Sequence, residues 1–223
     1  MLPVPVITFD GPSGTGKGTV AQTLAATLGW NYLDSGALYR SFAWAANVAG
    51  LTQDDDLELE RLVENFTVDF QVLENNQVVV TCQGSDISSD IRTEDIGVLA
   101  SRLSSKPLIR SGLSGLQYDF RKSPGLVTDG RDMGTVVFPD AEYKFYLTAT
   151  ATERAKRRYK QLQENGISGN LAQIEADLIK RDQRDRSRSL SPTVPASGAV
   201  IIDATRMTIQ QVMEQVIAVV DAA

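Results

Sequence analysis

The stretch Val6-Ile7-Thr8-Phe9-Asp10-Gly11-Pro12-Ser13-Gly14-Thr15-Gly16-Lys17-Gly18-Thr19 changes character twice. Its apolar start, closing at Asp10, reads as a short buried strand. A glycine-rich loop follows, and then a helix from about Lys17 to Leu28, with Val20, Leu24 and Leu28 on one face and Gly29 as its stop. Strand, glycine loop and helix in that order form the first half of a βαβ unit. Glycines let backbone amides curl around a phosphate with no side chain in the way. The amino end of the helix adds its partial positive charge. Lys17 can then follow charge developing on the outer phosphates of a nucleotide. A glycine turn of purely structural use remains the bland alternative, and its placement between strand and helix argues against that.

Downstream, Trp30–Leu33 reads as a second strand and Ala37–Val48 as a helix, with Thr52 before Asp54-Asp55-Asp56 as a further helix cap. Residues 66–83 alternate differently. Val68, Phe70 and Val72, then Glu74-Asn75-Asn76-Gln77, then Val78, Val80 and Cys82 read as an inserted β-hairpin. Helices are expected from Thr93-Glu94-Asp95 to a break near Ser105-Lys106-Pro107, and from Leu108 to Arg121, before a turn at Ser123-Pro124-Gly125. Leu126–Asp129, Lys144–Leu147 and Ala199–Ile202 are three more core strands. Helices run from Thr152-Glu153 to Gly166, from Asn170 to Arg188, and from Thr208 to Val220; Gly166-Ile167-Ser168-Gly169 has hinge-like composition. Five strands alternating with helices imply an α/β fold, a parallel sheet with helices on both faces. Chemistry then belongs at the carboxyl ends of the strands.

Composition narrows the function. Hydrophobic residues make up 42% and charged residues 22% of the 223, as in a globular protein. No apolar run approaches a membrane span, and Met1-Leu2-Pro3-Val4-Pro5 lacks the basic start of a signal peptide. Cys82 is the only cysteine, so no internal disulfide can form and a cytoplasmic location is expected. There is no histidine, which excludes imidazole acid–base chemistry and a His metal site. The net charge of −6 is unevenly spread: residues 154–188 hold ten Lys/Arg against five acids, so that segment is +5 and the remainder −11. One basic stretch on an acidic chain suits a small polyanion better than a nucleic-acid polymer.

Four clusters could meet that polyanion. Asp34-Ser35-Gly36-Ala37-Leu38-Tyr39-Arg40 follows the second strand; Ser35 can donate to an anion, and an ordinary helix cap is the alternative. Asp129-Gly130-Arg131-Asp132-Met133-Gly134-Thr135 follows the third, where alternating charges in a glycine-flanked turn rarely serve packing. In Lys180–Arg188, the residues Arg181, Asp185 and Arg188 share one helix face, and Asp182 and Arg186 another. Glu153-Arg154-Ala155-Lys156-Arg157-Arg158 reads as part of a lid that brings arginines over a transferring group and excludes water. A solvated basic helix is the alternative for these last two.

The loop departs from the commonest phosphate-binding pattern. Gly18 stands where Ser or Thr usually follows the lysine, and the hydroxyl comes one later, at Thr19. This weakens Thr19 as a Mg²⁺ ligand and favours Mg²⁺ held through water, so no protein metal site is assigned. The Gly-Lys-Gly-Thr variant resembles nucleoside monophosphate kinases. Over nearly the whole chain the sequence resembles bacterial cytidylate kinases, in Ile7–Thr19, in Leu33–Arg40, in Asp129-Gly130-Arg131-Asp132-Met133-Gly134-Thr135-Val136-Val137-Phe138-Pro139 and in Arg181–Arg186.

The resemblance implies a P-loop NTPase fold in a single kinase domain. Its core would span about 1–62, 126–150 and 188–223, with a monophosphate-binding insert at about 63–105 that carries the hairpin and a helical lid at about 153–187. It implies transfer of the ATP γ-phosphoryl group to CMP or dCMP, with Mg²⁺ accompanying ATP. From the sequence itself a monomer is expected, engaging neither membrane nor nucleic-acid polymer. Lys17, Arg131, Arg188 and Arg158 would be catalytic, and Gly11–Thr19 (Gly11, Pro12, Ser13, Gly14, Thr15, Gly16, Lys17, Gly18, Thr19) and Arg157 would bind ATP. Arg40, Arg131 and Arg188 would hold the acceptor phosphate, while Ser101, Arg110 and Asp132 would read cytosine. Asp185, with Ser35 and Arg181, would meet the sugar. The rival readings are a kinase for UMP, AMP or a small metabolite, and a non-catalytic nucleotide switch.

Overall fold

The computed structural model describes residues 4–72, 78–164, 166 and 168–221. The turn expected at Glu74–Gln77, Ile167 of the 166–169 loop, and Met1-Leu2-Pro3 lie outside the described residues. The chain packs as two units, Met1–Leu33 with Arg121–Ala223, and Asp34–Phe120.

The first unit is built on five strands: β1 (Val6–Asp10), β2 (Asn31–Asp34), β6 (Leu126–Asp129), β7 (Tyr143–Thr148) and β8 (Val200–Asp203). Their order is β2-β6-β1-β7-β8, and the pairs β1–β6, β1–β7 and β7–β8 are parallel. β1 is central and wholly buried, which explains its largely apolar sequence. Helix α1 (Lys17–Leu28) buries Val20, Ala21, Leu24 and Ala25 in a core shared with Ile7, Phe9, Val127, Phe145 and Leu147. Helix α8 (Ile209–Val220) adds Val212, Met213 and Val216 to the same core, where each large side chain is worth about 1.5–3 kcal/mol. Thr208 starts α8 with a reciprocal capping box to Gln211. Helices α6 (Ala151–Glu164) and α7 (Leu171–Arg186) also belong to this unit, and Asn170 caps α7 by accepting from Gln173 N.

The second unit holds α2 (Ser35–Val48), α3 (Asp56–Glu64), the antiparallel strands β3 (Val68–Val72), β4 (Val78–Cys82) and β5 (Ser85–Asp86), α4 (Glu94–Leu103) and α5 (Pro107–Tyr118). Its boundary differs from the one expected near residue 62. Leu38, Phe42 and Ala46 of α2 and Ile109 and Leu113 of α5 share one core with Val80, Ile87 and Leu103, so residues 34–62 pack with the hairpin. The cap expected at Thr52 is also different: α3 begins at Asp56, and Thr52 donates from N and Oγ1 to the Asp55 carboxylate, a turn that precedes the helix. The helix expected to reach Arg121 ends at Tyr118. Among the described residues, no helix is long and apolar enough to cross a membrane.

Candidate functional site

The glycine loop leaves β1 at Gly11, whose φ of 140° and position against β7 admit no side chain: a Cβ there would lie 2.0 Å from Leu147 O. Three of the loop's carbonyls are tied down by cations. Lys17 Nζ donates to Pro12 O at 3.2 Å, Arg154 Nη1 to Ser13 O at 3.0 Å, and Arg157 Nη1 to Thr15 O at 3.2 Å. In a trans peptide the N–H opposes the carbonyl. The amides of Ser13, Gly14 and Gly16 therefore point away from Lys17, Arg154 and Arg157 respectively, and α1 begins immediately after them. A glycine-rich loop whose peptide planes are fixed in this way, ahead of a helix N-terminus, is suited to receive an anion.

Arg154, in the segment expected to form a lid, is buried, donating from Nε to Ala149 O at 3.0 Å and pairing with Asp182 of α7, Nη1 to Oδ1 at 3.2 Å. Arg157 reaches Ala204 O as well as Thr15 O, and Arg158 is half-buried beside it on α6. Asp182 thus pairs across to α6, rather than with Arg186 on its own helix face.

Asp185 gathers the arginines that the sequence placed in two separate clusters. Arg131 Nε donates to its Oδ2 at 3.0 Å, Arg188 Nη2 to its Oδ1 at 2.6 Å, and Arg181 Nε stands 3.9 Å from Oδ2. Asp185 is 3% exposed. Burial alone would raise its pKa, but the three guanidiniums outweigh burial and hold the carboxyl below its usual range. A solvated helix with surface ion pairs does not bury its central acid, so that alternative fails for this cluster. Both carboxylate oxygens are engaged by arginine, which makes Asp185 first of all their organiser.

Asp132 precedes a π-helical turn, Met133–Val137, and is buried. Asp10, by its sequence the end of a strand, holds this turn. Its Oδ1 accepts from Met133 N and its Oδ2 from Gly134 N, each at 2.8 Å. A charged residue closing an apolar strand directly before the glycine loop was the available signal, but nothing in the sequence shows which amides it meets. Tyr32 is similar: its hydroxyl donates to Asp129 Oδ1 at 2.8 Å. Gly18 faces that carboxylate, and a Cβ there would lie 3.6 Å from both oxygens.

Within the second unit, Asp34 caps α2 through Ala37 N, and the buried Ser35 Oγ accepts from Gln117 Nε2 at 2.9 Å. Arg40 Nη1 donates to Ile91 O at 2.8 Å and Thr93 O at 3.2 Å, and its guanidinium lies against Gly97, where a Cβ would stand 2.9 Å from Nη2. Ser101 is buried; Ser104 Oγ donates to its carbonyl, and Arg110 Nη1 donates to Ser104 O while lying over the Tyr39 ring. The sequence offered Ser101 and Arg110 no local motif, and α4 and α5 bring them together through Ser104.

Among the described residues no three acids or cysteines cluster as a metal site. Thr19 is exposed. Asp129 presents its carboxylate to Gly18 of the first turn of α1, an oxygen donor of the kind that suits a Mg²⁺ ion carried mainly by phosphates and water.

The model of the cytidylate kinase family matches residues 7–222. A cytidylate kinase of Marinomonas sp. (strain MWYL1) is 50% identical over 214 residues, covering 96% of this chain and 94% of that protein. One from Coxiella burnetii is 50% identical over 216 residues, covering 96% and 91%. Solved structures are more distant: a gluconokinase from Sinorhizobium meliloti is 12% identical with a TM-score of 0.47, over 96% of this chain and 90% of that one. The family match takes in the glycine loop, the turn held by Asp10 and the arginines around Asp185, and at this identity and coverage the chain belongs to the cytidylate kinase family.

Proposed function

We infer that this chain transfers the γ-phosphoryl group of ATP to CMP or dCMP, giving ADP and CDP or dCDP, and that Lys17, Arg131, Arg188 and Arg158 act on the groups that carry the charge. The observation that supports the acceptor half is the Asp185 knot. Three guanidiniums on one carboxylate leave a local charge of about +2, matched to a monophosphate dianion. Phosphoryl transfer needs little covalent help, so positioning, cations and exclusion of water suffice and the absence of histidine is no handicap.

The roles follow from chemistry. The Gly11–Thr19 amides and Lys17 take the ATP phosphates. Arg157 acts on ATP through the Thr15 carbonyl it braces. Arg40, Arg131 and Arg188 take the acceptor phosphate, Ser35, Arg181 and Asp185 its sugar, and Ser101, Arg110 and Asp132 its base. A carboxylate accepts from the exocyclic amine of cytosine and opposes the carbonyl uracil has there, while a guanidinium donates to the ring carbonyl. Mg²⁺, when bound with ATP, neutralises phosphate charge. Asp129 would hold it through water, oriented by Tyr32. The α6–α7 segment, with its basic residues, is the proposed lid.

A coupled assay of ADP release with CMP, dCMP, UMP and AMP tests the assignment. CMP and dCMP should give the highest kcat/KM, and a preference for UMP or AMP would overturn it. In the same assay Arg131→Ala should lower kcat/KM for CMP by about 100-fold, as expected for lost charge-assisted hydrogen bonds, with KM for ATP within about threefold. Equal losses for both substrates would make Arg131 structural.

A further inference from the structure

We propose that Asp10 is a positioning residue for base selection: by capping the Met133–Val137 turn from β1, it keeps the Asp132 carboxylate out of that cap and directed to the acceptor. An aspartate at the N-cap of a helical turn ordinarily accepts from the second or third amide of its own turn. Asp132 occupies that position with φ −146° and ψ 23°, and its side chain makes no such bond. The amides of Met133 and Gly134 are taken instead by the two oxygens of Asp10.

The turn cannot drift from this clamp. Gly134 is pressed so close to the sheet that a Cβ would stand 2.8 Å from Thr8 Oγ1 and 3.3 Å from Lys144 Cδ. Asp10 is equally fixed, on the central strand, in register with Tyr146 of β7. The backbone of Asp10 continues into Gly11, while its side chain holds the turn that follows Asp132. The position requires two acceptors at once. A carboxylate supplies them, whereas asparagine would face one of the two N–H groups with its own NH₂.

This inference rests on the reading of Asp132 as the cytosine reader, and the test separates the two. kcat/KM for CMP and for UMP is measured in the native enzyme, in Asp10→Asn, in Asp132→Asn and in the double variant, together with KM for ATP. With Asp10 acting through Asp132, Asp10→Asn lowers the CMP:UMP ratio by about tenfold with KM for ATP within about threefold, and adds no further loss of ratio in the Asp132→Asn background. Should Asp10→Asn fail to fold by circular dichroism, Asp10→Ser, which keeps one acceptor, is read in the same way. If Asp132→Asn alters the ratio and the Asp10 variant does not, the proposal is overturned and the reading of Asp132 stands. The proposal is also overturned if the Asp10 variant loses CMP, UMP and ATP use in equal proportion, or lowers the ratio just as much without the Asp132 carboxylate. If Asp132→Asn leaves the ratio unchanged, the reading of Asp132 fails, and the proposal falls with it.

Discussion

Asp10 and Asp185 are both buried carboxylates, and their neighbours treat them in opposite ways. Burial raises the pKa of Asp10; the Gly134 and Met133 amides pull it back, the charge of Asp132 raises it further and Lys17 lowers it. The outcome is a rise from 3.8 to about 6. Because the folded value lies above the unfolded one, the stabilising contribution of Asp10 is complete below pH ~4 and is lost as pH rises through ~6. The gap corresponds to about 3 kcal/mol. Urea unfolding of the native protein and of Asp10→Asn should therefore show the difference in stability shifting by about 1–2 kcal/mol against the native protein between pH 5 and pH 8. A constant difference would mean that Asp10 does not titrate in this window. Asp185 runs the other way. Its folded pKa is depressed, so its contribution is present above the ordinary carboxylate range and is lost as pH falls through it.

Among elements, α6 does more than the amphipathic basic helix its sequence suggests. Of its arginines, Arg154 and Arg157 turn inward to the carbonyls of the phosphate loop, and the Arg154–Asp182 pair ties α6 to α7, the helix that carries Arg181 and Asp185. Arg154→Lys keeps the charge opposite Asp182 but loses the planar fork that also reaches Ser13 and Ala149. Charge-assisted hydrogen bonds are worth about 1.5–3 kcal/mol, so KM for ATP should rise by about tenfold or more while KM for CMP changes little. Initial-rate kinetics with each substrate varied in turn would measure this. An unchanged KM for ATP would show that the loop keeps its geometry without the brace.

For the whole molecule, the two packing units have separate apolar cores. Phe42 is fully buried in the core of residues 34–120, edge-on to Phe66 with ring centroids 5.3 Å apart. Phe42→Ala should cost about 3–5 kcal/mol. Because its core partners among the described residues all lie within 34–120, amide hydrogen exchange should quicken first there, with the amides of β1, β6 and β7 affected later. Uniform acceleration across both units would mean that they open as one.

Features that depend on local period and backbone chemistry are legible along the chain. The five core strands, the helix after the glycine loop and the caps at Asn170 and Thr208 follow from alternation, helical spacing and hydrogen-bonding side chains read in order. The glycine loop was legible because its conformation rests on the backbone of consecutive residues between β1 and α1. The acceptor family was legible because Asp129–Pro139 carries it within a single run. Which charges meet is set by packing between distant segments. Arg131 and Asp185 are far apart in sequence, and only the return of α7 pairs them. Arg154 in a basic helix looks the same whether it faces solvent or the loop. The boundary near residue 34 depended on which core Phe42 joins, which periodicity cannot say. Asp10 reads as the end of a strand until the turn after β6 is folded against it, because a hydrogen bond between distant segments leaves no periodic trace in either one.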